Sequence, residues 1–393
     1  MTREFVRYFA ARQSAMVAFT IEDVAVSWQI FSLRHSNFDL GLVGLILFVP
    51  QLLLALPAGV LADRADRRLI CMLTSLGEAV GLAGFVALVL LHVHDPLWYF
   101  VAVAFIGTVH SAGIPAQRSL LVNTIPREQF TKAQALSSSA MQLIAVAGPA
   151  LGGLLIAFNT AYAFAVAALA YVVATIGFAL LQRHRAQSGA EEPPLKAALA
   201  GVHFIFSKRT ILSAISLDLF AVLFGGATAL LPAFATQILH VGPTGFGILR
   251  AAPAIGAGVV AFYLSRRTIK RRAGRLLVTC VAGFGVATIV FGLSHNAVLS
   301  AIALALTGGF DMVSVVIRSA LVQLGTPDEM RGRVGAVENI FIGASNELGA
   351  FESGGLAALI GPQASVIFGG AATLAVIGLW LVLFPELRRF DSL

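Results

Sequence analysis

Twelve runs of about 20 mostly apolar residues, separated by short polar breaks, constrain this chain more than any other feature. A run of that length crosses a bilayer as a helix, because lipid offers backbone N–H and C=O groups no partners and the helix satisfies them internally. The runs fall near 9–31, 42–62, 69–92, 97–121, 133–158 and 160–181, then near 210–234, 245–265, 275–294, 298–322, 333–358 and 363–384. Only 12% of the residues are charged, against about 25% in a soluble domain, and the mean hydropathy is +0.86. The expected fold is an all-α membrane protein with 12 transmembrane helices. The first run holds Arg12, Glu22 and Asp23 and has no small-residue cleavage site, so it is expected to remain as a span.

The net charge of +7 could suggest nucleic acid, but the basic residues sit in short clusters between apolar runs. They read as orientation signals. With both termini in the cytoplasm, inner loops and tails hold 22 of the 27 Lys and Arg residues, including Arg127, Lys132, Arg183, Arg185, Arg266, Arg267, Lys270, Arg271, Arg272, Arg275, Arg388 and Arg389. The outer loops hold Arg34, and Arg12, Arg118, Arg250 and Arg318 fall inside spans.

The chain repeats itself. RSLLVNTIPREQFTKAQAL begins at Arg118 and RSALVQLGTPDEMRGRVGAV at Arg318; after a one-residue shift Pro126 matches Pro327, Glu128 matches Glu329 and Gly148 matches Gly349. Two copies in one orientation predict two pseudo-symmetric six-helix bundles with a pathway between them. The expected divisions are 1–181, a cytoplasmic linker over 182–209 with a short amphipathic helix from Leu195, and 210–393.

Two motifs carry mechanism. GVLADRADRR runs from Gly59 to Arg68, with Asp63, Arg64 and Arg67 between them. It resembles the loop signature of the major facilitator superfamily. Gly59 would let two helices approach, Asp63 would accept from helix N-terminal amides or a neighbouring Arg, and the resemblance implies that the loop latches the halves during conformational change. GPALGG brings Gly148, Pro149, Gly152 and Gly153 into the fifth span and resembles part of the antiporter motif of proton-coupled exporters in that superfamily. A further glycine of the extended motif is Ile144 here, so the match is partial. PPLKAALAGVHFI, LVQLGTPDEMRGRVGAV and the tail ELRRF are similar to the branch of siderophore and drug exporters. The resemblance implies the major facilitator fold and export of a small amphipathic or aromatic molecule by proton antiport. An importer or lipid flippase of the same fold, or a non-transporting scaffold or sensor, are the alternatives.

Ionisable residues inside spans are expensive and are functional candidates by default. Glu22 and Asp23 lie about 20 Å into the first span at 1.5 Å per residue. Neighbouring side chains differ by about 100° around a helix, so one carboxylate is expected to face a cavity and the other a partner helix. Desolvation and a nearby like charge both favour a protonated carboxyl, as proton coupling requires. The proton-coupling candidates are Glu22, Asp23, Asp218 and Glu347; Glu78, Glu338 and Glu352 also lie in spans. A structural ion pair, with Arg12 for example, is the competing role for the first two. The substrate-cavity candidates are Arg12, Arg250, Asp311, Phe220 and Phe224, with Arg250 suited to an anionic ligand or to snorkelling. Arg118 and Arg318 are expected to pair with acidic residues, and Trp28, Trp98 and Trp380 to lie near the interfaces.

Other chemistries lack their signatures. There is no phosphate-binding loop for ATP, no nucleophile elbow and no paired histidine at metal spacing. No enzyme activity, cofactor or metal is expected. Cys71 and Cys280 read as small buried residues, and His92, His94, His240 and His295 as outer-loop residues. The expected partners are a small-molecule substrate, protons and the lipid bilayer, without nucleic acid. The expected setting is the bacterial inner (cytoplasmic) membrane, the chain working as a monomer.

Overall fold

A computed structural model describes residues 3–123, 129–182, 194–267 and 272–386; the side chains of Asp63, Arg64 and Arg118 lie outside that description. Every regular element among the described residues is helical. The long helices are α1 (Arg3–Arg34), α2 (Asn37–Arg64), α3 (Arg67–Leu90), α4 (Pro96–Asn123), α5 (Phe130–Phe158) and α6 (Thr160–Ala179). After α7 (Pro194–Ser207) come α8 (Arg209–Phe224), the single turn α9 (Leu231–Ala233), α10 (Gly242–Arg266), α11 (Ala273–Leu293), α12 (Ala297–Gly325), α13 (Asp328–Ile360) and α14 (Pro362–Leu383).

Eleven of these segments are long and apolar enough to cross a membrane, with Arg209–Ile238 counted as one span of 30 residues. The exception, α13, is 33 residues long and carries Asp328, Glu329, Arg331, Arg333, Glu338, Glu347 and Glu352. The seventh span is not one continuous helix. Gly225 and Gly226 end α8, a 3₁₀ turn covers Ala227–Leu230, and a π-turn covers Phe234–Ile238 after Pro232. Paired glycines and a proline withdraw the preferences that would carry the helix through.

The chain forms two compact units. The first holds 1–35, 46–194 and 242–251; the second holds 36–45, 195–241 and 252–393. Within the first, α1 packs on α5 and α6, and α3 on α4 and α6; within the second, α8 packs on α13 and α14, and α11 on α12 and α14. The same pairings recur in the two units, whose bounds differ from the expected divisions 1–181 and 210–393 in that 36–45 falls in the second unit and 242–251 in the first. Gly148 shows why the repeat keeps a glycine: a Cβ there would lie 2.0 Å from Thr20 Oγ1 on α1, and at its counterpart Gly349 one would lie 2.7 Å from the Leu223 carbonyl on α8.

The amphipathic helix expected in the linker is α7. Its Ile205 is buried with Ile211, Ile215, Val322, Val334 and Val337 in the second unit. The residues between Gln182 and Pro194, with Arg183 and Arg185, lie outside the described set, as do Arg127, Lys270, Arg271, Arg388, Arg389, Pro126 and Glu128. Trp380 lies three residues before the end of α14 and is packed against protein. It is 9% exposed, and its Nε1 donates to Ser216 Oγ at 3.1 Å.

Candidate transport site

Within the first unit, a cavity of about 170 Å³ is lined by Arg12, Phe19, Glu78, His110, Gln117 and Tyr171, among others. Glu78 is 3% exposed and Glu22, one helix away on α1, is 6% exposed. His110 Nδ1 lies 3.0 Å from Glu78 Oε1, and the Phe19 ring stacks over the imidazole with centroids 4.9 Å apart. The Tyr171 hydroxyl on α6 hydrogen-bonds Glu22, and the Glu22 and Glu78 carboxylates are close enough to interact as charges. Glu22 Oε2 and Glu78 Oε2 have no hydrogen-bond partner among the described residues. Two carboxyls, an imidazole and a phenol, drawn from four helices, form a set that can hold and pass a proton away from bulk water. Arg12 is at the cavity wall, donating from Nη1 to Tyr8 Oη at 3.2 Å, while Tyr8 donates to the Gln117 carbonyl at 3.0 Å.

Adjacent positions on α1 separate the two acidic residues. Glu22 points to α3 and α6, and Asp23 points to the start of α10, where Arg250 meets it. Arg250 donates to Asp23 Oδ2 from Nε at 3.0 Å and from Nη2 at 2.7 Å; the side chains are 27% and 38% exposed. Arg250 therefore holds an acidic residue of its own chain where the sequence suggested an anionic ligand or the interface. Beside this pair the α5 motif receives both neighbours. Gly152 faces Val24 and Ile21 on α1, and Gly153 and Gly247 are so close that a Cβ on Gly153 would lie 2.8 Å from the Gly247 Cα. A Cβ on Gly247 would lie 2.5 Å from the Pro149 carbonyl.

The second unit arranges its charges differently. Arg318, 4% exposed, bonds Asp218 on α8, and its Nε lies 3.3 Å from Glu338 Oε1 on α13. Ser314 Oγ adds a 3.4 Å contact to Asp218. The pairing expected of Arg318 thus engages a proton-coupling candidate, Asp218, and Glu338 meets this arginine. Asp311 lines a cavity of about 200 Å³ in this unit. Glu347 is half-buried on α13. Phe220 and Phe224 stack with centroids 6.5 Å apart, and Phe220 lies 5.2 Å from Trp380. These two rings belong to the packing of α8 on α14 and α11, and neither is among the residues lining the two cavities.

The loop motif also differs in detail. Among the described residues, no heavy atom lies within 4 Å of where a Cβ on Gly59 would sit, so none of them makes the close approach expected there. The cap of α3 is Asp66, whose Oδ1 accepts from Arg68 N at 3.0 Å; the Asp63 side chain, for which the sequence suggested helix N-terminal amides or a neighbouring Arg, lies outside the described set. Arg67 Nε donates to the Ala62 carbonyl at 3.0 Å, and Arg68 bonds the Ala179 carbonyl at the end of α6.

Duplicated helical units, each enclosing polar cavities within apolar spans, define a membrane transporter of the major facilitator type. The chain belongs to the transmembrane secretion effector family of that superfamily, whose profile matches residues 2–393. It is 29% identical over 391 residues to the enterobactin exporter EntS of Citrobacter koseri, covering 98% of this chain and 93% of that protein. It is 28% identical to the enterobactin exporter EntS of Shigella boydii over the same shares. Among solved structures, the nucleoside transporter NupG superposes with a TM-score of 0.78 at 11% identity, over 97% of this chain and 100% of that one. A bacterial homolog of the human lysosomal transporter Spinster, inward-facing and occupied, superposes with a TM-score of 0.72 at 14% identity, over 98% and 95%. These relatives and folds are those of transporters rather than enzymes, and with eleven apolar helices they indicate a multi-pass inner membrane protein.

Proposed function

We propose that this protein exports a small amphipathic or aromatic molecule, of siderophore or drug type, from the bacterial cytoplasm by proton antiport. The observation that carries the reading is the cluster of buried Glu22, Glu78 and Tyr171 with half-buried His110 beside a cavity in the first unit. A carboxyl pair inside a span whose basic neighbour is a titratable imidazole is costly to keep unless its protonation is used. The named relatives, enterobactin exporters, support a siderophore-type substrate. Arg12 at the cavity wall supplies a positive contact for an acidic or phenolic group.

In this reading the halves 1–181 and 210–393 rock about the substrate, with both termini cytoplasmic and one chain sufficient. Among the contacts that join the two halves of the sequence are Asp23 with Arg250, Gly153 with Gly247, and Gly41 with Gly354. All three lie in the halves of their helices that lead to turns which the charge pattern assigns to the outside, such as those at 35–36 and 240–241. They must part for the outward-facing state. Arg67 and Arg68 brace the opposite end of α3.

The test uses inverted vesicles with an imposed proton gradient. A deletion strain screened against drugs and for secreted iron chelators first identifies the compound. The double variant Glu22→Gln, Glu78→Gln is expected to retain substrate exchange and lose gradient-driven accumulation. Undiminished accumulation in that variant would remove the proposed role of the cluster.

A further inference from the structure

The cavity of the second unit has a chemistry of its own. Non-helical backbone within a membrane span persists where protein buries it or where it lines a cavity. Here the break after α8 lines one: Gly225, Gly226 and Thr228 border the space of about 200 Å³, and Thr288, Thr307, Asp311 and Asn346 supply its other polar groups. Asp311 is the only ionisable residue in that lining. Among the described residues, no ion pair or hydrogen bond engages its carboxylate. The nearby cation is committed elsewhere, since Arg318 is shared by Asp218 and Glu338.

The hydroxyls are oriented. Thr288 Oγ1 donates its proton to the Phe284 carbonyl at 2.9 Å, and Thr307 Oγ1 donates to the Leu304 carbonyl at 2.7 Å. With their protons spent, these oxygens can offer the cavity lone pairs only. The space therefore presents one negative charge and a set of oxygen acceptors. An anion would be repelled, and a neutral guest would leave a desolvated carboxylate unbalanced. A transition metal calls for a cluster of His, Cys or carboxylate ligands, and no group of three such residues converges among the described residues. A divalent hard cation is ordinarily held by more than one carboxylate.

We propose that this cavity binds one monovalent cation, either an alkali ion of sodium size or a protonated primary amine. Asp311 is its counter-charge, and the oxygens of Thr288, Thr307 and Asn346 are its acceptors. The volume admits either guest with accompanying water. Phe284 and Phe291 line the same space, so a bound cation would also meet aromatic rings. The proposal is independent of proton coupling in the first unit, because binding is measured without flux.

The experiment titrates the detergent-purified full chain at mildly alkaline pH with sodium chloride or n-propylammonium chloride. Ionic strength is held constant with the bulky N-methylglucamine salt, and thermal unfolding is followed. A saturable rise in Tm is expected in one arm. Saturation with sodium identifies an ion site, and saturation with the amine identifies an organic head-group site. Thr288→Val, which keeps the shape and removes the oxygen, should raise the apparent Kd roughly tenfold, a loss of about 1.4 kcal/mol. Asp311→Asn should abolish saturation. The wild-type titration decides the matter even if that variant folds poorly. Absence of saturation in both arms, or an undiminished response in a folded Asp311→Asn protein, would overturn the proposal.

Discussion

Breaking the Asp23–Arg250 pair should shift the balance between the two access states by a measurable and bounded amount. The pair joins α1 to α10 through two contacts of 3.0 and 2.7 Å on one carboxylate oxygen. With side chains 27% and 38% exposed, it is neither a surface bridge nor a dry one. Surface pairs contribute about 0–1 kcal/mol, and hydrogen bonds to charged groups about 1.5–3 kcal/mol. A coupling of about 1–2 kcal/mol follows, equivalent to roughly a 5- to 30-fold change in the ratio of the states. The assay is pulsed electron resonance between spin labels on His94→Cys and His295→Cys, both on exposed turns; native Cys71 and Cys280 are buried. Arg250→Gln, Asp23→Asn and the double variant should populate the long-distance state to about the same extent. The swapped pair, Asp23→Arg with Arg250→Asp, should recover part of the original distribution. Unchanged distances, or effects of the single variants that simply add, would refute the latch.

Other positions give sharper stability effects. Arg318→Met should cost about 3–5 kcal/mol by stranding the buried Asp218 and the half-buried Glu338, and adding Asp218→Asn and Glu338→Gln should recover much of it, as measured by thermal unfolding in detergent. Gly148→Ala should destabilise the protein by about 1–3 kcal/mol, since its Cβ would fall 2.0 Å from Thr20 Oγ1, and Thr20→Gly should restore the room. Asp66→Ala should cost about 1 kcal/mol through loss of the α3 cap, seen as a lower Tm with transport otherwise intact.

The apolar runs and the repeat made the helices legible, because length and hydropathy alone decide what lipid accepts. The break in the seventh span was also written in the chain, as Gly225–Gly226 and Pro232, but hydropathy averages over such residues. The site was less legible. Glu22 and Asp23 were visible as intramembrane charges, and their divergence followed from helix geometry. Their partners did not, because Glu78, His110, Tyr171 and Arg250 are distant in sequence and a single chain carries no record of which faces meet. His110 lies in an apolar run and gave no spacing signal. Phe220 and Phe224 resembled a substrate surface because the core they pack on is distant in the chain, Trp380 lying 160 residues beyond Phe220.

The duplication preserves packing and lets chemistry diverge. Gly148 and Gly349 still admit a neighbouring helix at matching places. The first unit surrounds its cavity with Arg12, Glu78 and His110, whereas the second places only Asp311 among hydroxyls and an amide. Close helix contact tolerates few residue types, so it persists through duplication; a cavity wall tolerates many, so each half can take a separate task. Under the proposed antiport, a proton held in the first unit would leave the charge of the second unaltered. Exchanging cavity walls between the units should therefore abolish coupling while leaving the helical framework, and the glycine contacts that hold it, in place.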